Sequence, residues 1–312
     1  MPEFMNRPYA DYDAAAVADM LNAIELASGA DPWFTEDEIH GVMSVELRNP
    51  QLDSRLVFAP DGSLVACGAV VAPPPGGWRI RAIGGVHPDW RNERIGRVLL
   101  AWQFERATEI QAHEPDTAWT LGAGASAVDV SAIRLFQRFD MQPARYFLDM
   151  SAPTAAAPVL SLPDDIRIVT MATDLRRPLH AAHIEAFADH WGFQPRAFEQ
   201  WAALSVDSAW FRGDLSRIAL DDDEIAAYVL AYAGPQGCVY IGQIGTRQPW
   251  RRQGLASALL AATLAASALD GKTTASLTVD ADNPSGAASV YQRLGFATKH
   301  SPYVVYGKLL AR

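Results

Sequence analysis

The sequence predicts an α/β protein made of two tandem copies of one α/β unit, and three observations predict it. First, the chain repeats. Setting Trp90-Arg91 on Trp250-Arg251, an offset of 160, brings Leu99-Leu100 onto Leu259-Leu260, and setting Leu135-Phe136-Gln137-Arg138 on Val290-Tyr291-Gln292-Arg293 takes an offset of 155. Two matches with slightly different offsets are what duplication followed by loop drift leaves behind. Second, each copy alternates short β-branched runs with stretches whose apolar residues recur every three or four positions, the mark of strands interleaved with helices. Third, 312 residues that are 49% hydrophobic exceed one typical domain and suit two. The expected division is residues 5–150, a linker at 151–163 with three prolines and no charge, and residues 164–312. Met1-Pro-Glu-Phe4 precedes a second methionine, Met5, and reads as an appended leader.

In the first copy, residues 13–27 predict an alanine-rich helix with Val17, Met20, Leu21 and Ile24 on one side. Thr35 and Glu38 have the spacing of a capping box and open a second helix. Residues 55–59 and 64–72 predict a hairpin across Pro60, Asp61 and Gly62, and 78–86 another strand. A helix follows Arg91, then come a strand at 117–121, a helix at 131–139 and a strand at 146–150. The second copy repeats the order: strand 166–170, helices 175–189 and 195–204, and a hairpin of 216–220 with 225–232 across an acidic turn.

The stretch from Val239 to Leu260 carries most of the chemistry. Val239, Tyr240, Ile241 and Ile244 predict a strand, which Pro249 ends for want of a ladder donor. Leu255, Leu259, Leu260 and Leu264 then share one helix face. The join reads Arg251-x-x-Gly254-x-Ala256. A glycine at a helix mouth lets backbone approach a ligand, and the unpaired N–H groups of the first turn favour an anion such as a diphosphate, with Arg251 and Arg252 adding charge. Residues 275–281 alternate as a strand, Asp282-Asn283-Pro284 break it, and a short helix at 285–294 stops at Gly295, followed by Phe296.

Composition narrows the partners. A net charge of −10 and a pI near 5.1 argue against nucleic acid or an anionic membrane. Two cysteines, Cys67 and Cys238, indicate neither a disulfide framework nor a multi-cysteine zinc site, and no metal is expected. With no apolar run of membrane length and no basic-then-apolar leader, the expectation is a soluble cytoplasmic protein. The sequence gives no oligomeric state.

The Arg-x-x-Gly-x-Ala turn, followed by Asn283 and then Tyr291-x-x-x-Gly295-Phe296 after a strand, is rarer than either part alone. On these motifs the sequence resembles the GNAT superfamily of acetyl-CoA-dependent N-acetyltransferases, closely over residues 165–310 and more loosely before. The two-copy arrangement resembles the tandem type represented by the mycothiol synthases. The resemblance implies, for each copy, a mixed, largely antiparallel sheet with a splayed parallel strand pair and flanking helices. Pantetheine then lies in the opening like an added strand. Ile244, Gly245 and Thr246 offer it backbone groups, while Arg251, Arg252, Gln253, Gly254, Leu255 and Ala256 hold the diphosphate. Asn283, Ala287 and Tyr291 complete the acetyl-CoA contacts, and Tyr291 is at the general-acid position that protonates the leaving thiolate.

The base is open among Tyr240, Asp280, Glu185 and His190; Tyr291, Tyr240 and Asn283 are the catalytic candidates. The acceptor region implied by the resemblance includes Glu185, His190, Trp191, Phe193, Trp210 and Asp280, with Phe211 in the same aromatic wall. The implied acceptor is the primary amine of a small molecule, with antibiotic or metabolite acetylation as a near alternative. A non-catalytic CoA-binding or interaction protein is the alternative of another class. The first copy has Arg94, Val128, Phe136 and Asp140 where the second has Gly254, Asn283, Tyr291 and Gly295. It is expected to fold without catalysing. Arg94 in particular brings a long side chain to a place where backbone must approach a diphosphate.

Overall fold

The computed structural model describes residues 4–113, 118–156, 158, 160–283 and 286–310. In chain order the elements are β1 (Met5–Arg7), α1 (Ala14–Ala27), α2 (Glu36–Val45), α3 (Pro50–Asp53), β2 (Ser54–Phe58), β3 (Leu64–Val71), β4 (Arg79–Val86), α4 (Ile95–Gln111), β5 (Thr120–Ser126), α5 (Val130–Arg138) and β6 (Gln142–Pro153). Then follow β7 (Ile166–Thr170), α6 (Arg176–Phe187), α7 (Phe198–Leu204), β8 (Arg217–Asp221), β9 (Glu224–Ala233), β10 (Cys238–Thr246), α8 (Leu255–Leu269), β11 (Thr274–Asp280), α9 (Ala287–Arg293), β12 (Ala297–Thr298) and β13 (Tyr303–Leu309).

These form two compact units, Met1–Tyr146 with Ser301–Arg312, and Phe147–His300. In the first, the strand order is β1-β2-β3-β4-β5-β13, with β4 and β5 parallel and the other neighbours antiparallel. Leu99, Leu100, Ala107 and Ile110 of α4 pack on one face of this sheet, and Val17 and Met20 of α1 with Ile39 and Met43 of α2 on the other. In the second unit the order is β7-β8-β9-β10-β11-β6, with β10 and β11 the parallel pair and β12 beside β6. Leu255, Leu259, Leu260 and Leu264 of α8 cover one face, and Leu179, Ala182 and Ala186 of α6 with Trp201 and Ala202 of α7 cover the other. Each fully buried leucine contributes roughly 1.5–3 kcal/mol of transfer free energy, so the helix stripes decide which way each helix turns. The mixed sheets and the repeated order match the fold class expected from the sequence.

The division along the chain differs from the expected consecutive halves. β6 runs on to Pro153, inside the expected linker, and its residues from Phe147 onward pair with β11. β13 joins β5 of the first unit, Tyr303 opposite Ser126 through Leu309 opposite Thr120. Val304 and Tyr306 are buried there, an alternation that specifies a half-buried strand. Each unit therefore takes its last strand from outside its own repeat. Strand β5 lies three residues further along than its expected start. Thr117, and the expected helix start at Ser285, fall outside the described residues.

Candidate active site

The two parallel strands of the second unit stay together only briefly. Cys238, Val239 and Tyr240 pair with Thr274, Ala275 and Ser276, after which β10 continues to Thr246 and β11 to Asp280 without further pairing. On its other side β10 stays paired with β9 to the end, with one bulge between Ile241 and Gln243. Gly242, the extra residue of the bulge, and Gly245 have a packing reason to be glycine. A Cβ at Gly242 would come within 2.6 Å of the Tyr232 ring, and one at Gly245 within 2.5 Å of the Tyr228 ring. The result is a splayed strand whose free edge is backbone.

The mouth of this opening is the expected anion turn. Gln248–Trp250 form a 3-10 turn, Arg252 has φ 66° and Gly254 has φ 82°, the left-handed region that favours glycine. α8 then starts with no side chain capping it. Its first amides are therefore available to a ligand. Leu255 is core, while Gln253 is exposed and donates to the Pro249 carbonyl at 3.4 Å. Arg251 also has partners within the protein. It donates to the carbonyls of Thr246 (3.2 Å) and Ala186 (3.2 Å) and to Asp189 Oδ2 (3.0 Å), and so braces the turn against the end of α6. Arg252 is exposed at the turn. Trp250 anchors the turn further, its indole donating to Asp221 Oδ2 at 2.8 Å.

Directly opposed residues of neighbouring strands share a sheet face, and this sorts the candidates. Ile244 and Thr246 lie opposite Val229 and Ala227, on the α8 face. Ala287, Trp250 and Tyr291 pack against the same core. Burial raises the Tyr291 phenol to about 12, so it stays protonated at neutral pH, as a proton donor must. Its backbone is pinned where α9 ends: Phe296 N–H donates to the Tyr291 carbonyl at 3.1 Å, with Gly295 at φ 88°. Asn283 closes the turn before α9, its N–H donating to the Asp280 carbonyl (3.1 Å) and its carbonyl accepting from Gly286 (3.0 Å).

Tyr240, Gln243 and Gly245 lie opposite Tyr232, Leu230 and Tyr228, on the α6 face. His190 is on this side, in the loop after α6, with its ring 4.3 Å from Phe187. Burial lowers its pKa first and the Arg251 guanidinium lowers it further, against the opposing influence of Asp280 and Asp189, which favours the neutral imidazole. Trp191 packs at 6.4 Å against Phe147, which faces Asp280 across the β6–β11 pair. Phe193 reaches His183 at 5.6 Å. The structure thus gathers Tyr240, His190, Trp191, Phe193 and Asp280 on one face and Tyr291 on the other, with the splay between.

Two more of the expected acceptor residues have partners in the structure. Glu185 accepts from Arg247 Nε at 2.7 Å, and Arg247 also bonds Glu224 at 3.1 Å, so this carboxylate is committed to an ion-pair network. The Trp210 carbonyl accepts from the Ala233 N–H at 2.8 Å, one residue along β9 from the Tyr232–Tyr240 pair.

Sequence reasoning missed a buried polar pair. His183 Nδ1 lies 2.7 Å from the Tyr228 hydroxyl, directly behind Gly245. The signal was a strand with tyrosines at 228 and 232 beside one with glycines at 242 and 245. Burial, with smaller contributions from His180 and His190, pushes the His183 pKa down to about 4. Below pH 6.5 the unfolded chain binds a proton that the folded chain refuses, so this stability is present above pH 6.5 and lost as pH falls toward 4. The expected contribution is about 2 kcal/mol lost between pH 7 and 5. Urea unfolding of His183→Phe should show a flatter stability profile over that interval; a profile parallel to wild type would mean the imidazole is not excluded from protonation.

In the first unit the strands separate in the same way, β4 and β5 pairing only from Arg79–Thr120 to Arg81–Gly122. β4 pairs with β3 in unbroken register, without the bulge of β10. Phe136 is buried where Tyr291 stands, and Asp140 takes the left-handed position at φ 57°. Arg94 also adopts the left-handed cap, at φ 64°, and its side chain lines a groove with Arg55, Arg97 and Trp102 on the exposed side of α4. Among the described residues no group of His, Cys, Asp or Glu gathers to hold a metal, and no helix is long and apolar enough to cross a membrane.

Residues 177–296 match the acetyltransferase (GNAT) family model. Over 225 residues the chain is 29% identical to a mycothiol acetyltransferase of Renibacterium salmoninarum, covering 68% of this chain and 62% of that protein, so the chain spans about three fifths of its relative's length. A GCN5-related N-acetyltransferase from Sphaerobacter thermophilus has a similar structure, with a TM-score of 0.79 and 27% identity over 99% of this chain and 96% of that one. A tandem GNAT protein from the clavulanic acid biosynthesis pathway superposes at a TM-score of 0.71 with 19% identity, covering 99% of each chain, and shows the same fold.

Proposed function

We propose that this chain, whose residues 177–296 match the acetyltransferase (GNAT) family model, transfers an acetyl group from acetyl-CoA to the primary amine of a small molecule, in its second unit. The observation that carries the reading is the early end of the β10–β11 ladder, which leaves a backbone edge running toward an uncapped helix start. An extended pantetheine arm can pair with such an edge as an added strand. The first amides of α8 and the backbone around Gly254, where even a Cβ would meet nothing within 4 Å, suit the diphosphate.

The two faces then divide the work. The amine approaches from the α6 face, past Tyr240, His190 and Asp280. Its nitrogen bonds the acyl carbon, the C–S bond breaks, and Tyr291 on the α8 face passes its phenolic proton to the departing sulfur. The neutral His190 imidazole is the group on the amine side best suited to accept the amine's proton, directly or through water. An amide N–H of β10 aimed at the acyl oxygen lowers the barrier further. The mycothiol acetyltransferase relative supports the acetyl donor and a small-molecule acceptor.

The test is release of free CoA thiol from acetyl-CoA with a panel of primary amines. At least one amine should be acetylated at its nitrogen in step with thiol release. Tight acetyl-CoA binding with no transfer to any amine would favour a non-catalytic CoA-binding protein. His190→Gln should lower kcat about 10- to 100-fold on the acidic side of the pH–rate profile and less at high pH, where more amine is already free. An unchanged profile would remove His190 from proton transfer.

A further inference from the structure

We propose that the first unit carries an anion-binding groove on the flank of α4, built around Arg55 and Trp102, which takes a phosphorylated small molecule with a polar, sugar-like body. The groove lies apart from the splayed strands. Arg55 is on β2, two strands along the sheet from β4, which is about 10 Å at ordinary strand spacing. The groove uses none of the residues assigned to acetyl transfer in the second unit.

Two cavities, of about 350 Å³ and 390 Å³, meet at Arg55, Trp102 and Glu105. The second adds Arg94 and Arg97, so three arginines stand against one glutamate, a net charge of +2 in a chain whose total is −10. Trp102 is the floor: it is 9% exposed, and the Arg55 guanidinium lies 4.5 Å over its ring. A guanidinium stacked in this way has its plane fixed and its N–H edge open to a ligand. Among the described residues, the head groups of Arg55, Arg94 and Arg97 make no hydrogen bond or ion pair within the protein. The neighbouring arginines are committed: Arg7 bonds Asp13 at 2.6 Å, and Arg106 bonds Asp53 and Glu109, each at 2.8 Å. The fold thus supplies counter-ions to Arg7 and Arg106 and leaves Arg55 without one, although burial works against its charge and only Glu105 supports it. A partly desolvated cation without an anion is unfavourable, and a bound anion relieves it. A phosphate monoester carries about −1.5 to −2 at neutral pH, which matches the groove better than one carboxylate does, and its oxygens pair with guanidinium forks. The first cavity adds Asn6, Gln51 and Glu109, groups that hydrogen-bond hydroxyls rather than cover an apolar tail.

The second copy lacks the groove's components. At the offset of 160, Arg94, Arg97, Trp102 and Glu105 correspond to Gly254, Ser257, Ala262 and Ala265, and α8 carries no charged residue from end to end. The arginine at the glycine position keeps the left-handed turn, at φ 64° against 82°, and its side chain lines this groove. A left-handed backbone is unfavourable for arginine, so its presence there calls for a use of the side chain, and the groove supplies one.

The experiment is calorimetric titration of the full chain with glucose 6-phosphate, inorganic phosphate and glucose. Glucose 6-phosphate should bind with a Kd below about 1 mM, inorganic phosphate about 10-fold more weakly, and glucose not measurably. Arg55→Met keeps an apolar stem over Trp102 and removes the charge; Arg97→Gln changes an exposed side chain and is the second variant should the first melt early. Each should weaken glucose 6-phosphate binding about 10-fold or more. Saturating CoA should leave that binding intact, because the splay lies two strands away. No binding of glucose 6-phosphate to the wild type, or binding that a folded Arg55→Met or Arg97→Gln leaves unchanged, would overturn the groove. So would displacement by CoA, since the arginines would then serve a CoA site. Equal affinity for glucose 6-phosphate and inorganic phosphate would overturn the ligand class, leaving a bare anion site.

Discussion

Gly254→Asp should weaken acetyl-CoA binding by about 100-fold or more, while Gly254→Asn weakens it by less than about 10-fold. The pair of variants separates charge from conformation. Gly254 has φ 82°, and Asn and Asp are the side chains that tolerate this left-handed region best, so both variants should fold. Neither meets a steric obstacle, since a Cβ there has open space. Both can also cap α8 and compete for its amides to a similar extent. Only Asp puts a negative charge at the helix start. Like charges some 5 Å apart repel by about 3 kcal/mol at an effective dielectric near 20, which is a factor of over 100 in affinity. Calorimetry with acetyl-CoA measures this directly. Equal loss in the two variants would mean that the anionic part of the ligand is somewhere else.

Tyr291→Phe should slow turnover on the order of 100-fold and leave acetyl-CoA affinity nearly unchanged. The hydroxyl it removes is used only as the sulfur leaves, so kcat and kcat/KM should fall together. The ring itself packs beside Phe296 at 6.1 Å and against the α8 core, and phenylalanine keeps that packing, so the variant should unfold normally. The first unit already has Phe136 at this position. Combining Tyr291→Phe with Gly254→Asp should therefore leave no transfer from either unit. Residual acetylation near the wild-type rate would put the chemistry in the first unit.

The motifs read from the sequence lie where backbone conformation dictates residue type, and there the structure agrees. Gly254 and Gly295 are at positive φ, the leucines of α8 are buried, and Thr35 and Glu38 close the capping box of α2. What the sequence hid was partner choice. For Arg251, spacing shows an arginine at a helix mouth but not that three protein acceptors surround it. Glu185 likewise pairs with an arginine 62 residues away. The His183–Tyr228 bond has Tyr228 lying opposite Gly245, a relation that exists only once strand register is known. The boundary at the linker misled for the same reason: prolines mark where a chain turns, not which sheet its strands join.

That last point bears on how the protein comes into being on the ribosome. The first unit is translated first but ends in β13, which is made only after all of Phe147–His300. Until then the edge of β5 has no partner on that side, and the space at Gly124 that the Tyr303 ring fills is vacant. An open strand edge is a template for wrong pairing. Domains commonly fold in order of synthesis, the earlier one finishing before the later is complete. Here the nascent first repeat has to wait, and its completion comes last. The growing chain therefore faces its greatest aggregation hazard while the second unit is being translated, and shielding by a chaperone that covers bare strand edges would matter most in that interval.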